Sequence, residues 1–263
     1  MIEENHVLNA PFIEDSKFSE QRSLYQLHLE RYYNSENSFD FFEASEDVPV
    51  SLKEIYVPLR LASEEISVID DSQDVENIEG DEVYNYLNKY PFVALSGLAG
   101  SGKSTLTKYL ATSLSSAKIS QDHYNLGRRV VFPIILRELD FSKITTFNQF
   151  IFQWLKSFSE KIDFKIDIDF FNYYIDNGWA IVIFDGFDEL ESKMSQELLN
   201  WIKKWVRYID KLDNKTKTNV IITARPTGFE NNAFVDRLFT KLYIQPFNQK
   251  QIEIFSKNFF HIR

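Results

Sequence analysis

The 263-residue sequence contains no cysteine. That rules out disulfides, thiolate metal sites and a cysteine nucleophile. Its four histidines, His6, His28, His123 and His261, lie too far apart in sequence to give metal-ligand spacing. No basic-then-apolar leader opens it, and no apolar run approaches the roughly 20 residues needed to cross a bilayer. A cytoplasmic location is therefore expected, with no membrane partner. Positive charge is in deficit: 29 Lys and Arg face 39 Asp and Glu, a formal net charge of −10. A broad footprint for nucleic acid is not indicated by that balance. The local cluster Lys203, Lys204, Arg207 and Lys211 reads as the wet face of a helix. The opposite face of that helix carries Leu198, Trp201, Ile202, Trp205 and Ile209.

What is abundant is apolar and aromatic. Hydrophobic residues make up 44% of the chain, with 24 Phe and 13 Tyr, enough for a large, filled core. The first 54 residues read as a separate, partly helical segment of unknown function. Within it Phe18, Tyr25, Leu29 and Tyr32 have helical spacing, which predicts a helix near 17–34. The acidic stretch Ser35–Asp47 reads as a loop. Residues 55–82 form a lead-in: Ile55, Val57, Leu59 and Leu61 alternate around Pro58, as in a short edge strand, and the acidic residues 63–80 read as a linker. From 83 onward short apolar runs alternate with helical patterns. Strands are expected at Phe92–Ser96, Val130–Leu136, Trp179–Phe184 and Asn219–Thr223. Helices are expected at Val83–Lys89, 103–114, 146–160 and Met194–Leu212. This alternation predicts an α/β fold, a three-layer sandwich around a mainly parallel sheet, over residues 83–263.

Three motifs carry chemistry. Gly97-Leu98-Ala99-Gly100-Ser101-Gly102-Lys103-Ser104 satisfies G-x-x-x-x-G-K-[ST] in full, and Thr105 continues it into the following helix. Glycines allow the backbone to turn its N–H groups inward around phosphate, and the helix presents its positive end. Lys103 is expected at the β- and γ-phosphates and Ser104 at Mg²⁺. A chance match in a chain this long is on the order of 1%. Second, the strand ending at Phe184 runs into Asp185-Gly186-Phe187-Asp188-Glu189. Asp185 suits a second Mg²⁺ contact, the Walker B role. Asp188 and Glu189 both stand where a base could orient the attacking water, with Glu189 slightly favoured. Third, Asn219–Thr223 leads into Ala224-Arg225-Pro226, where Arg225 is placed to sense the γ-phosphate and stabilise developing charge.

This ordered set resembles the NACHT NTPases of the STAND class. The small Gly186 directly after Asp185, with the acidic pair three and four places on, is the distinguishing feature. Phe132-Pro-Ile-Ile-Leu-Arg-Glu-Leu139, Tyr243-Ile-Gln-Pro-Phe247 and Tyr56-Val-Pro-Leu-Arg-Leu61 are also similar to bacterial members, so the resemblance covers about residues 55–260. It implies a P-loop sandwich that binds ATP or ADP with Mg²⁺ and hydrolyses ATP slowly. It also implies a signalling switch that self-associates or engages a protein partner on activation, in antiphage defence or innate immunity. Family members continue into helical, winged-helix and sensor domains, which are not read in this sequence. On that reading nucleotide is expected to be held more loosely than in a full-length relative. A second reading is a nucleotide-gated interaction module without significant turnover. A third, a small-molecule P-loop kinase, lacks the expected Arg-rich lid. The preference for ATP over GTP rests on the family resemblance, and no N-K-x-D guanine motif is present.

Overall fold

A computed structural model describes residues 16–34, 52–62, 82–114, 129–214, 216–229 and 237–261. The expected loop Ser35–Asp47 and linker 63–80 lie outside these residues. Six strands form one sheet: β1 (Leu61–Ala62), β2 (Phe92–Ser96), β3 (Val130–Ile135), β4 (Ala180–Asp185), β5 (Asn219–Ala224) and β6 (Thr240–Ile244). Their order is β1-β6-β2-β5-β4-β3. Every neighbouring pair is parallel except β1 with β6. Every residue of β2, β4 and β5 is buried, which explains their unbroken Val, Ile, Leu and Phe runs. β3 lies at one edge, and there Pro133 costs no ladder bond on its open side.

Helices flank the sheet. They are α1 (Ser16–Asn34), α2 (Leu52–Ile55), α3 (Glu82–Lys89), α4 (Lys103–Ser113), α5 (Phe147–Lys161), α6 (Ile168–Asp176), α7 (Ser192–Asp210), α8 (Pro226–Phe229) and α9 (Gln249–His261). α5 starts where the Thr146 hydroxyl accepts the Gln149 N–H, and α6 where Asp167 accepts the Phe170 N–H at 2.7 Å. Phe132, at the centre of the core, meets Trp154 of α5 and Phe170 and Phe171 of α6. On α7 Leu198, Leu199, Ile202, Val206 and Ile209 are buried, while Lys204, Arg207 and Lys211 are exposed. This is the amphipathic division expected from the sequence.

One region differs from the sequence reading. Ile55 ends the helical turn α2 instead of opening an extended run, and only Leu61–Ala62 pair as an edge strand. Ile55, Val57, Leu59 and Leu61 are nevertheless all buried, so their alternation reports burial without a ladder. The helix expected near 17–34 is α1, and it packs closely on the core beside the sheet. Tyr25, Leu29 and Tyr33 are buried, the Tyr25 hydroxyl donates to the Val131 carbonyl at 2.7 Å, and the Tyr174 hydroxyl donates to the Phe18 carbonyl at 3.0 Å.

Candidate functional site

The three motifs meet because of strand order. β5 lies between β2 and β4, and register pairs Ser96 with Ala224 and Phe184 with Ile222. Extending each strand by a residue or two brings Gly97, Arg225 and Asp185–Gly186 together at the carboxyl ends of the strands. In open α/β sheets this is where ligands bind. The Gly97 N–H donates to the Ala224 carbonyl at 3.2 Å, tying the first and third motifs directly.

The loop 97–102 has the backbone its glycines permit. Gly100 (φ 76°) and Gly102 (φ 93°) are both left-handed, a conformation costing other residues roughly 1–2 kcal/mol. Gly102 caps α4 with no side-chain bond to the helix's first N–H groups, which leaves these as potential anion donors. The Ser101 hydroxyl is buried and has no hydrogen-bond partner among the described residues. The Lys103 ammonium bends back to the carbonyls of Gly97 (2.5 Å) and Leu98 (2.9 Å). Burial lowers its pKa from the ordinary lysine value, the nearby carboxylates of Asp188 and Asp185 oppose this, and Arg225 adds to it. Helix N–H groups without a side-chain cap, a partnerless buried hydroxyl and a cation held by the loop's own carbonyls suit a phosphate chain, so the residues fit a nucleotide. Leu98, Ala99 and Thr105 are exposed, and Ser104 is half-buried at the start of α4.

On the acidic side, Asp185 is buried at the end of β4. The Thr223 hydroxyl donates to Asp185 Oδ1 and accepts the Gly186 N–H at 3.0 Å. One carboxylate oxygen is thereby fixed and the other left available. Gly186 is left-handed (φ 84°), and a Cβ there would lie 3.3 Å from the Glu189 carboxyl carbon. That turn starts the short 3₁₀ segment Phe187–Glu189. No cluster of three or more His, Asp or Glu side chains among the described residues is arranged to hold a metal ion alone. A Mg²⁺ at this site would draw on Asp185, Ser104 and phosphate oxygens, the mixed ligand set this ion prefers.

Each remaining acid faces an arginine. Asp188 Oδ1 accepts the Arg225 backbone N–H at 3.0 Å, and its Oδ2 lies 3.1 Å from Arg225 Nε. Glu189 lies 3.7 Å from Arg137, on the turn after β3. The sequence reading assigned no role to Thr223 or Arg137, although both fall inside stretches it singled out. A hydroxyl residue closing the apolar run Val220–Ile222 was the available signal for the first. Arg137 is brought in only by the β3–β4 pairing.

The model of the NACHT domain matches residues 92–262, well over half of the sequence. The chain belongs to the NACHT family. It is accordingly a nucleotide-binding NTPase of the STAND type, and the sheet and loop described above are those of its P-loop fold. No curated protein matches the chain. Among solved structures, a chain of the E. coli MS115-1 HORMA:CdnC:Trip13 complex is similar over 93% of this NACHT chain and 71% of that chain, at 13% identity and a TM-score of 0.39. A likeness of that degree bears on neither activity nor partner. No helix among the described residues is long and apolar enough to cross a membrane.

Proposed function

We propose that this NACHT chain is an ATP-driven signalling switch that hydrolyses its nucleotide slowly. The observation that supports this best is the convergence of the loop, the Asp185–Thr223 pair and the Asp188–Arg225 pair on three adjacent strand ends. Residues Gly97–Thr105 would cradle the phosphates, with Lys103 leaving the loop carbonyls for the β- and γ-phosphates. Ser104 and Asp185 would hold Mg²⁺, which neutralises phosphate charge when bound. Arg225 would stabilise charge developing on the γ-phosphate side. Of the two acids weighed as base, Glu189 is the better placed: its side chain is 36% exposed against 11% for Asp188, so it offers an oxygen to a water. The switching, self-association and defence role rest on the family resemblance.

A phosphate-release assay on the purified chain with Mg²⁺ and ATP tests the reading. Sustained release well below one turnover per second is expected, in line with a regulatory rather than a metabolic enzyme. Binding with no release beyond background would replace it by the nucleotide-gated interaction module.

A further inference from the structure

Asp188 has contacts ill-suited to a base. Both of its oxygens are engaged by one neighbour, Oδ1 by the Arg225 backbone N–H and Oδ2 by the Arg225 guanidinium. Its side chain is nearly buried, whereas that of Arg225 is 54% exposed. The residues after Arg225 fold onto it as well. The Gly228 N–H donates to the Arg225 carbonyl at 2.9 Å, closing a turn. A Cβ on Gly228 would come within 3.0 Å of Asp188 Cβ and 2.9 Å of Ala224 Cβ, so only glycine lets the turn sit this close. The far end of the turn is pinned by the buried ring of Phe229. Thr227 and Gly228 border a cavity of about 360 Å³ that also touches Asp188, Ser192 and Gln196. Ahead of the turn Ala224 is held in β5, and among the described residues the side chain that engages the near end of the turn is the Asp188 carboxylate.

We propose that Asp188 is a positioning residue: its carboxylate docks the Arg225–Gly228 turn and aims the half-exposed Arg225 guanidinium at the γ-phosphate side of the nucleotide site. This rests on the nucleotide reading above and adds to it the route by which the site tells triphosphate from diphosphate. Backbone and side chain of Arg225 hang on the same acid. Loss of that acid frees the arginine's direction as well as its charge partner, while the acid itself need not touch the nucleotide.

Two measurements on the full chain test it. The first needs no nucleotide: amide hydrogen exchange at Arg225 in Asp188→Ala. Loss of a charge-assisted bond should speed exchange there about tenfold, with core strands such as β4 unchanged; an unaltered Arg225 amide overturns the anchor. The second compares Kd for a non-hydrolysable ATP analogue with Kd for ADP, each with Mg²⁺. It is run in wild type, Asp188→Asn, Arg225→Ala and the double variant. Each single change should cut the triphosphate preference about tenfold, and the double should do no more than Arg225→Ala alone. Additive losses, or an intact preference with turnover abolished in Asp188→Asn, would overturn the proposal and return Asp188 to the role of base. A wild type that binds neither nucleotide, with faster Arg225 exchange in Asp188→Ala, would sink the nucleotide reading while supporting the anchor.

Discussion

Replacing Thr223 by valine removes one oxygen and keeps the shape of the side chain, and that oxygen carries two bonds. Thr223 is 1% exposed. Its hydroxyl donates to the Asp185 carboxylate and accepts the Gly186 N–H at 3.0 Å. A hydrogen bond to a charged group contributes about 1.5–3 kcal/mol and a neutral one about 1 kcal/mol. Asp185 is 2% exposed, so water cannot replace the lost donor, whereas the partly buried Gly186 N–H recovers some solvation. The net loss should be about 3 kcal/mol. For a chain of this size that lowers Tm by about 6–12 °C. Urea unfolding, followed through the four tryptophans, measures it directly. Thr223→Ser restores the hydroxyl and should lie within about 1 kcal/mol of wild type. A valine variant within about 0.5 kcal/mol of wild type would refute the reasoning, because surface changes without structural consequence fall in that range.

The remaining predictions concern the turn and the chemistry. Gly186→Ala should destabilise the chain by about 1–2 kcal/mol, from the left-handed φ and the close Glu189 carboxyl group; an unchanged urea midpoint would contradict it. Glu189→Gln should bind Mg²⁺ and ATP as wild type does while phosphate release falls about 10²–10⁴-fold. Unchanged release would exclude Glu189 as the water-orienting group.

Much of this architecture was legible in the sequence, for physical reasons. Fully buried parallel strands such as Phe92–Ser96 and Ala180–Asp185 need apolar residues on both faces, so they stand out as short unbroken runs between polar segments. α7 has a wide apolar stripe opposite a basic face, and its period is unmistakable. Other elements are less marked. α6 is short and is not among the helices expected from the sequence, although Phe170, Phe171, Tyr174 and Ile175 form a buried stripe; its end signals are the Asp167 cap and Gly178, left-handed at φ 72° just past its end. β6 is only five residues long and has a weak alternation, with Leu242 and Ile244 buried and Lys241 and Tyr243 half-buried. Site residues brought by their own motifs could be read one by one. Pairings across strands could not: the engagement of both Asp188 oxygens by Arg225 depends on β5 lying beside β4, and spacing along the chain does not encode that.

The loop Gly97–Ser104 is proposed to hold a nucleoside triphosphate with Mg²⁺. Titration calorimetry of ATP and Mg²⁺ into wild type and Lys103→Ala tests it most directly. One site per chain is expected in wild type, and in the variant a loss of at least about 100-fold in affinity. Equal affinity in the two proteins would contradict the account.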